Sequence, residues 1–172
     1  MNTKNNKRRR ESQEKIEKAF VKLLQTRQIG EISVSDLVKE TGLNRRTFYA
    51  NYVDIFDLAD KVREKLEREF SDLFADYDYF NEHSGALKMF KHIKDNQLFY
   101  RTYFKLCYDE KHLIYTYDPA RVKKEQMDEN LKYHIEFFRN GLNAIIKLWL
   151  AGGCKESPEE MADVLKKEYR GR

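Results

Sequence analysis

The sequence contains few residues that interrupt helices. Only 7 glycines and 2 prolines occur among 172 residues, while 36% of the residues are charged. Gly and Pro are the least favourable residues in a helix interior, and a chain rich in Lys, Glu, Leu and Arg is typical of helical proteins. We therefore expect an all-α fold with essentially no strand.

Cysteine and histidine are also scarce. Cys107 and Cys154 are the two cysteines, and they do not form a CxxC motif, so we expect reduced thiols that behave as small hydrophobic residues. The histidines are scattered without metal-ligand spacing, at His83, His92, His112 and His134. The sequence predicts neither a metal site nor a cofactor.

Long apolar runs and catalytic motifs are missing as well. No apolar stretch approaches the roughly 18 residues that cross a bilayer, and no leader with an apolar core is visible, so we expect a soluble, cytoplasmic protein without membrane contact. A P-loop, a GxSxG motif, an HExxH motif and a Cys/His cluster are all absent. These absences disfavour an enzyme.

The charge is distributed unevenly along the chain. Residues 1–52 hold 12 of the 33 Lys and Arg but only 6 of the 29 Asp and Glu, which leaves 21 basic against 23 acidic residues for the remainder. A basic N-terminal third attached to a nearly neutral body is typical of a protein whose front end contacts a polyanion.

The N-terminal third is predicted to form a basic arm followed by three helices. Residues 1–11 are polar and basic, with three consecutive arginines at Arg8 to Arg10, and we expect a mobile arm. Residues 12–53 form the predicted head. Its first helix carries an apolar stripe from Ile16 to Leu24 and is expected to end near Gln28.

The next two helices are predicted from their caps. Ser33 and Asp36 have the spacing of a capping box, which places a helix over 34–40, and Gly42 can end that helix in the left-handed conformation. Asn44 can cap a third helix through Tyr49. A helix, a tight turn and a second helix are the elements of a helix-turn-helix, which places its second helix in the major groove of DNA.

The second helix of this pair carries the candidate DNA-contacting residues. Packing of Phe48 against the first helix would leave four side chains facing outward: Asn44, Arg45, Arg46 and Tyr49. Arg can bond two acceptors on a guanine edge and Asn can do the same on adenine. A solvated basic turn is the alternative for the two arginines, and core packing is the alternative for Tyr49 and Tyr52.

A distinctive pair of motifs follows from the sequence of the head: Thr41-Gly42-Leu43 and, above all, Thr47-Phe48-Tyr49-Ala50-Asn51-Tyr52. With these motifs, the segment from about Glu14 to Asp60 resembles the tetracycline-repressor (TetR) family of transcription regulators. A weaker similarity to a subgroup of small members covers Phe137 to Gly153 and Ser157 to Met161. The resemblance implies DNA contacts at Ser33, Ser35, Arg45, Arg46, Thr47, Tyr49 and Tyr52. It departs at Ile55, where many members carry Lys.

Residues 54–172 form the predicted regulatory and dimerisation domain. A long helix from Asp54 to Tyr77 is expected to join it to the head, followed by helices near 84–94 and 97–108, a long helix from Asp118 to Ala151, and a last helix that opens at Ser157-Pro158. The fold class is therefore all-α, with a three-helix head joined by a long helix to a C-terminal helical domain.

Two further sites are predicted in this second domain. In the TetR family, the last two long helices of each subunit pair with those of a second subunit. Here they carry many large apolar groups, and we expect a homodimer interface at Phe138, Leu142, Ile145, Trp149, Met161 and Leu165, with core packing as the alternative for Ile145 and Ile146.

An aromatic-rich middle region predicts a pocket for a small-molecule effector, with a packed core as the alternative, at Tyr100, Tyr103, Phe104 and Tyr108.

The function expected from the sequence is DNA-binding transcription regulation. We expect a homodimer, acting as a repressor, that binds a near-palindromic operator in double-stranded DNA and is released by an effector. A protein-interaction module that has kept the fold and lost operator binding is the alternative, and Ile55 is the residue that favours it.

Overall fold

The computed structural model describes residues 3–74, 83–106 and 131–169, and these form helices joined by short turns. Within those ranges no strand occurs, which confirms the all-α prediction. In chain order the helices are α1 (Thr3–Leu24), α2 (Val34–Thr41), α3 (Arg45–Tyr49), α4 (Ile55–Phe74), α5 (His83–Asp95), α6 (Gln97–Leu106), α7 (Leu131–Ala151) and α8 (Pro158–Tyr169), with a 3-10 turn at Ile29–Glu31. The predicted helix start at Asp118-Pro119 and residue Tyr77 lie outside the described residues.

The chain divides into two compact units. The first comprises Met1–Ser71 and Arg101–Tyr108, and the second comprises Asp72–Tyr100 and Asp109–Arg172. The expected boundary at residue 53 is therefore too early, because most of α4 belongs to the first unit. Leu58, Ala59 and Val62 of α4 are buried in the same apolar core as the three helices of the head.

The core of the first unit is formed by one side chain or more from each of five helices. Its members are all buried, and they include Ile16, Phe20 and Leu24 of α1, Leu37 of α2, Phe48 of α3, Leu58 and Val62 of α4, and Leu106 of α6. Burying a large apolar side chain contributes about 1.5–3 kcal/mol. This core fixes α3 against α1 and α4. The side of α3 opposite Phe48 remains exposed.

Helix α1 begins earlier than the sequence suggested. Residues 3–11 are part of the helix rather than an arm without structure. Ser12 Oγ donates to the Arg8 carbonyl over 2.9 Å, and Arg10 lies 4.0 Å from Glu14, one helical turn away. Lys and Arg are good helix formers, so a basic segment can extend a helix that already has a packed face. The three arginines therefore have fixed positions on α1.

The end of α1 is fixed by a residue far away in sequence. Lys105 Nζ of α6 donates to the carbonyl of Leu24 over 2.6 Å and to that of Gln25 over 2.8 Å. Cationic side chains stabilise the unsatisfied carbonyls at a helix C-terminus. The helix accordingly ends at Leu24 rather than near Gln28.

The caps of α2 and α3 agree with the prediction. Ser33 Oγ accepts from the Asp36 amide at 3.2 Å while the Asp36 carboxylate accepts from the Ser33 amide at 2.9 Å. Gly42 ends α2 with φ 68°, and Asn44 Oδ1 accepts from the Thr47 amide at 2.8 Å. These local bonds set the geometry of the turn between α2 and α3.

The second unit has its own apolar core. Helices α5 and α8 pack together, and Lys91 on α5 forms an ion pair of 3.1 Å with Glu159 on α8. The buried side chains include Met89, Phe90 and Ile93 of α5, Leu142, Ile146, Trp149 and Leu150 of α7, Cys154, and Met161 and Leu165 of α8. The predicted start of α8 is confirmed, since Ser157 and Glu160 form a capping box there.

Membrane-spanning helices and metal-binding clusters are both absent from the described residues. No helix there is long and apolar enough to cross a membrane. In the same part of the chain, no group of three or more His, Cys, Asp or Glu side chains is placed to hold a metal ion.

Candidate nucleic-acid interface

Helix α3 presents a polar and basic surface because one aromatic residue anchors it. Phe48 is buried and contacts the ring of Tyr52 at 5.6 Å between centroids. On the opposite side Asn44, Arg45 and Arg46 are exposed, and Tyr49 is 56% exposed. The structure thus exposes, at α3 and its cap, four of the eight residues for which the sequence predicted DNA contacts.

The two arginines of α3 have different surroundings. Arg45 Nη2 donates to Ser35 Oγ of α2 over 2.5 Å, so Arg45 lies against the preceding helix. Arg46 points instead toward α1, where it lines a cleft of about 510 Å³. We call this space the arginine cleft; its walls include Arg8 and Arg9 of α1 and Arg46, Thr47 and Asn51 of the α3 region, with Asn44 at the turn.

The hydroxyl groups of Ser33 and Thr47 are used within the helices. Ser33 Oγ donates to Asp36 at 2.6 Å, and Thr47 Oγ1 donates to Asn44 Oδ1 at 3.0 Å. The hydrogen bonds from Ser33 and the nearby Arg27 guanidinium, 3.3 Å from Asp36 Oδ1, lower the pKa of Asp36 to about 2. This carboxylate therefore stays charged and holds the N-terminus of α2 in place.

Tyr52 is a core residue, which corrects its assignment to the DNA-contacting set. Its side chain is 2% exposed, and its hydroxyl donates to Glu17 Oε1 over 3.2 Å. Burial, with the Glu17 carboxylate nearby, raises the pKa of Tyr52. Lys61 Nζ lies 5.1 Å from the centre of the ring. A side chain enclosed by α1 and α4 in this way supports α3 and does not face a duplex.

Ile55 is also a core residue. It is buried at the start of α4 together with Leu58 and Ala59. Asp54 Oδ1 accepts from the Asp57 amide at 2.8 Å and so caps this helix. The departure from the family pattern is therefore explained by packing, since an apolar side chain at this position contributes to the core of the first unit.

Asn51 lines the arginine cleft, although nothing in the sequence singled it out. It is only 9% exposed, and its side chain accepts from Arg9 Nε at 3.1 Å while donating to the Thr47 carbonyl at 2.8 Å. In the sequence it appeared only as one letter of a motif. The partner Arg9 lies 42 residues away and in a segment that was expected to be an arm, so no local pattern could have indicated the pair.

Two of the four candidate effector residues are packed in the interior. Tyr100, in the second unit, is fully buried, its hydroxyl lies 2.7 Å from His92 Nδ1, and burial raises the pKa of Tyr100. Tyr103, in the first unit, is also buried and meets Phe104 edge to face at 5.7 Å. Tyr108 lies outside the described residues. The alternative of core packing therefore describes Tyr100 and Tyr103.

Four of the six candidate interface residues are buried within the chain itself. Leu142, Trp149, Met161 and Leu165 lie in the core of the second unit, whereas Phe138 and Ile145 are half-buried. These four side chains are therefore core residues of the second unit, and the position of a dimer interface stays a prediction. The exposed side of α7 carries Tyr133, Phe137, Ala144 and Leu148, of which Leu148 is 76% exposed.

Fold and site together define an all-helical protein with a helix-turn-helix head. A solved structure described as a TetR transcriptional regulator from Streptococcus agalactiae 2603V is similar in fold, with a TM-score of 0.68 and 18% identity over 98% of both chains. The family model TetR_C_8, described as a transcriptional regulator C-terminal region, matches residues 81–169, just over half of the chain. The protein belongs to the TetR family of transcriptional regulators.

The chain is also similar to a curated regulator. The chain is 29% identical over 104 residues to the HTH-type dhaKLM operon transcriptional activator DhaS of Lactococcus lactis subsp. lactis (strain IL1403). The match covers 60% of this chain and 54% of the relative, so it spans about half the length of that protein. Membership in a family of regulators agrees with the prediction that the protein is not an enzyme.

Proposed function

We propose that the protein is a transcription regulator that binds a near-palindromic duplex as a homodimer, with α3 of each subunit in the major groove. One observation carries the proposal: Phe48 anchors α3 in the core while Arg45, Arg46 and Tyr49 remain exposed beside one another. Arg is the side chain that most often makes specific contacts with guanine in the major groove.

The distribution of charge along the chain also supports DNA binding by the N-terminal helices. The excess of basic residues is confined to residues 1–52, which contain α1, α2 and α3. Phosphate neutralisation by Lys and Arg supplies most of the non-specific affinity for DNA, so a positive head attached to a near-neutral body orients the protein toward the duplex.

The proposed dimer uses the exposed side of α7. Tyr133, Ala144 and Leu148 recur on that side at helical spacing, and the small Ala144 would allow a second helix to approach closely. The proposed occupant is a second copy of this chain, because a twofold dimer places two reading helices on one face of the duplex, about 34 Å apart. A twofold protein in turn requires a near-palindromic site.

The experiment that tests the proposal is selection from a library of random duplexes. Purified protein is incubated with the library, bound duplexes are recovered and sequenced, and affinities of the enriched sequences are measured by fluorescence anisotropy. The proposal predicts enrichment of a site with two inverted half-sites centred about 10 base pairs apart or a multiple of that spacing. Absence of any enrichment favours the alternative, a protein-interaction module with a TetR-like fold.

The direction of regulation is a separate question. We expect repression, whereas the relative from Lactococcus lactis is named an activator. A reporter gene placed behind a promoter that contains the selected site distinguishes the two. Repression predicts higher expression when the regulator is deleted, and activation predicts lower expression.

Effector binding in the second unit is a second candidate function, supported by one polar atom. Trp149 Nε1 is buried, and no acceptor lies within hydrogen-bond distance of it among the described residues. A buried donor without a partner costs about 1–3 kcal/mol, and a ligand with an acceptor group would remove that cost. A thermal-shift screen of aromatic and carbonyl-containing metabolites tests this, with Trp149→Phe as the variant in which a genuine hit loses its effect.

A further inference from the structure

The arginine cleft has a lining suited to an anion. Its walls combine the guanidinium groups of Arg8, Arg9 and Arg46 with polar groups of Asn44, Thr47 and Asn51, and no carboxylate contributes to them. Its volume of about 510 Å³ is open to solvent, and both walls belong to the first unit. Guanidinium and amide groups are the side chains that bind phosphate oxygens best, so a phosphate group matches this lining.

The arginines of the cleft differ from their neighbours in their partners. Arg10 on α1 is near Glu14, Arg27 pairs with Asp36, and Arg45 donates to Ser35. By contrast, Arg8, Arg9 and Arg46 form no ion pair with any residue in the described part of the chain. Their positive charge is therefore not neutralised by the protein's own carboxylates there.

Asn51 fixes one of these arginines in position. Its Oδ1 accepts from Arg9 Nε, its Nδ2 donates to the Thr47 carbonyl of α3, and its own carbonyl accepts from Lys61 Nζ of α4 at 3.2 Å. Arg9 is thus attached to the helix that would lie in the groove. Guanidinium carries five N–H donors, so use of Nε leaves the terminal nitrogens for a second acceptor.

We propose that the arginine cleft is a preformed binding site for a backbone phosphate of duplex DNA, and that Asn51 is a positioning residue which holds Arg9 for this contact. The inference rests on the proposed function and extends it. Arg46 of α3 also lines this cleft. The phosphate bound in the cleft therefore lies close to the bases that α3 contacts. The N-terminal part of α1 therefore clamps DNA from a fixed position.

The test is a salt titration on a duplex of about 30 base pairs with arbitrary sequence, since a phosphate contact does not depend on base sequence. Five proteins are compared by fluorescence anisotropy between about 50 and 200 mM salt: the wild type, Arg9→Gln, Arg10→Gln, Asn51→Leu and the double variant Arg9→Gln/Asn51→Leu. Arg10→Gln is the matched control, because it removes the same charge from the adjacent position of α1, and Arg10 does not line the cleft. Asn51→Leu keeps every charge.

We expect Arg9→Gln to flatten the slope of log K against log salt by about 0.9, the value for one phosphate contact. Asn51→Leu should flatten it similarly although no charge is lost, and Arg10→Gln should have a clearly smaller effect. The double variant Arg9→Gln/Asn51→Leu should lose no more than either single variant, because both remove the same contact. Thermal unfolding of each variant separates these effects from loss of fold, and Arg9→Gln alters only an exposed residue.

The possible outcomes distinguish failure of the cleft proposal from failure of the proposed function. If the wild type binds the duplex and Arg9→Gln and Arg10→Gln change the slope equally, the cleft is not a site, while DNA binding stands. If all variants keep the wild-type slope and inorganic phosphate raises the melting temperature of the wild type but not of Arg9→Gln, the cleft binds a free anion instead. A wild type that binds no duplex overturns both proposals.

Discussion

The rings of Phe90 and Trp149 meet edge to face, with centroids 5.5 Å apart and planes at 86°. Phe90 lies on α5 and Trp149 on α7, so this contact joins two helices of the second unit. Edge-to-face pairs contribute about 0.5–1.5 kcal/mol beyond the burial of their area. Trp149 is 3% exposed, whereas its neighbour Leu148 is 76% exposed, so mutation of Trp149 should affect stability far more than mutation of Leu148.

Trp149→Ala should destabilise the fold of the second unit. Removing a buried aromatic side chain costs about 3–5 kcal/mol, through lost burial and the cavity that remains. Urea unfolding followed by circular dichroism measures the change. Leu148→Ala is the control on the same turn of α7. It should change the free energy of unfolding by less than about 1 kcal/mol. Both variants are measured at a protein concentration at which the association state of the wild type is preserved.

Leu148→Glu should convert the proposed dimer to monomers. The substitution places a charge on the exposed apolar side of α7, near the C-terminus of the helix, where a second copy would have to bury it without a partner. Sedimentation velocity reads the association state, and Lys147→Glu provides a control for the added negative charge at an adjacent exposed position. An unchanged dimer in Leu148→Glu would place the interface elsewhere.

Gly42→Ala should destabilise the first unit by about 1–2 kcal/mol, the cost of a left-handed conformation for an L-residue. Gly42 has φ 68°, and a Cβ there would meet no atom within 4 Å, so the effect comes from the backbone alone. Gly30→Ala is the control, since its added Cβ also meets nothing and its φ is not positive. Equal unfolding free energies for the two variants would contradict the assigned turn.

The capping box of α2 should make stability depend on pH in a defined range. The pKa of Asp36 is lowered from 3.8 to about 2, so the unfolded chain takes up a proton more readily than the folded one. The contribution of Asp36 is complete above its unfolded value and is lost as the pH falls from about 3.8 toward 2. Asp36→Asn should remove this part of the pH dependence in urea unfolding, whereas Glu31→Gln, on the preceding turn, should preserve it.

The sequence predicted well those features that depend on neighbours in the chain. The capping box of Ser33 and Asp36, the left-handed Gly42 and the Asn44 cap are each determined within three residues, and all are confirmed. They placed α2 and α3 correctly and so identified the exposed side of α3. The class of fold followed from the same local signals.

Features that depend on distant residues were not predictable in this way. The end of α1 is set by Lys105, 80 or 81 residues from the carbonyls it contacts, and the position of Arg9 is set by Asn51. On α7 both sides are apolar, so periodicity could not tell that Trp149 faces the core and Leu148 faces outward. The end of α1, the position of Arg9 and the orientation of α7 are determined by tertiary packing.

The most direct test of the central claim, that α3 reads base sequence, is the affinity of Arg45→Ala for a selected duplex and for a scrambled version of it. Arg45 lies against Ser35 at the start of α3, outside the arginine cleft. Loss of a two-point contact to a base should cost about 1–3 kcal/mol on the selected duplex and much less on the scrambled one. Equal losses on both duplexes, or none on the selected duplex, would contradict base reading by this residue.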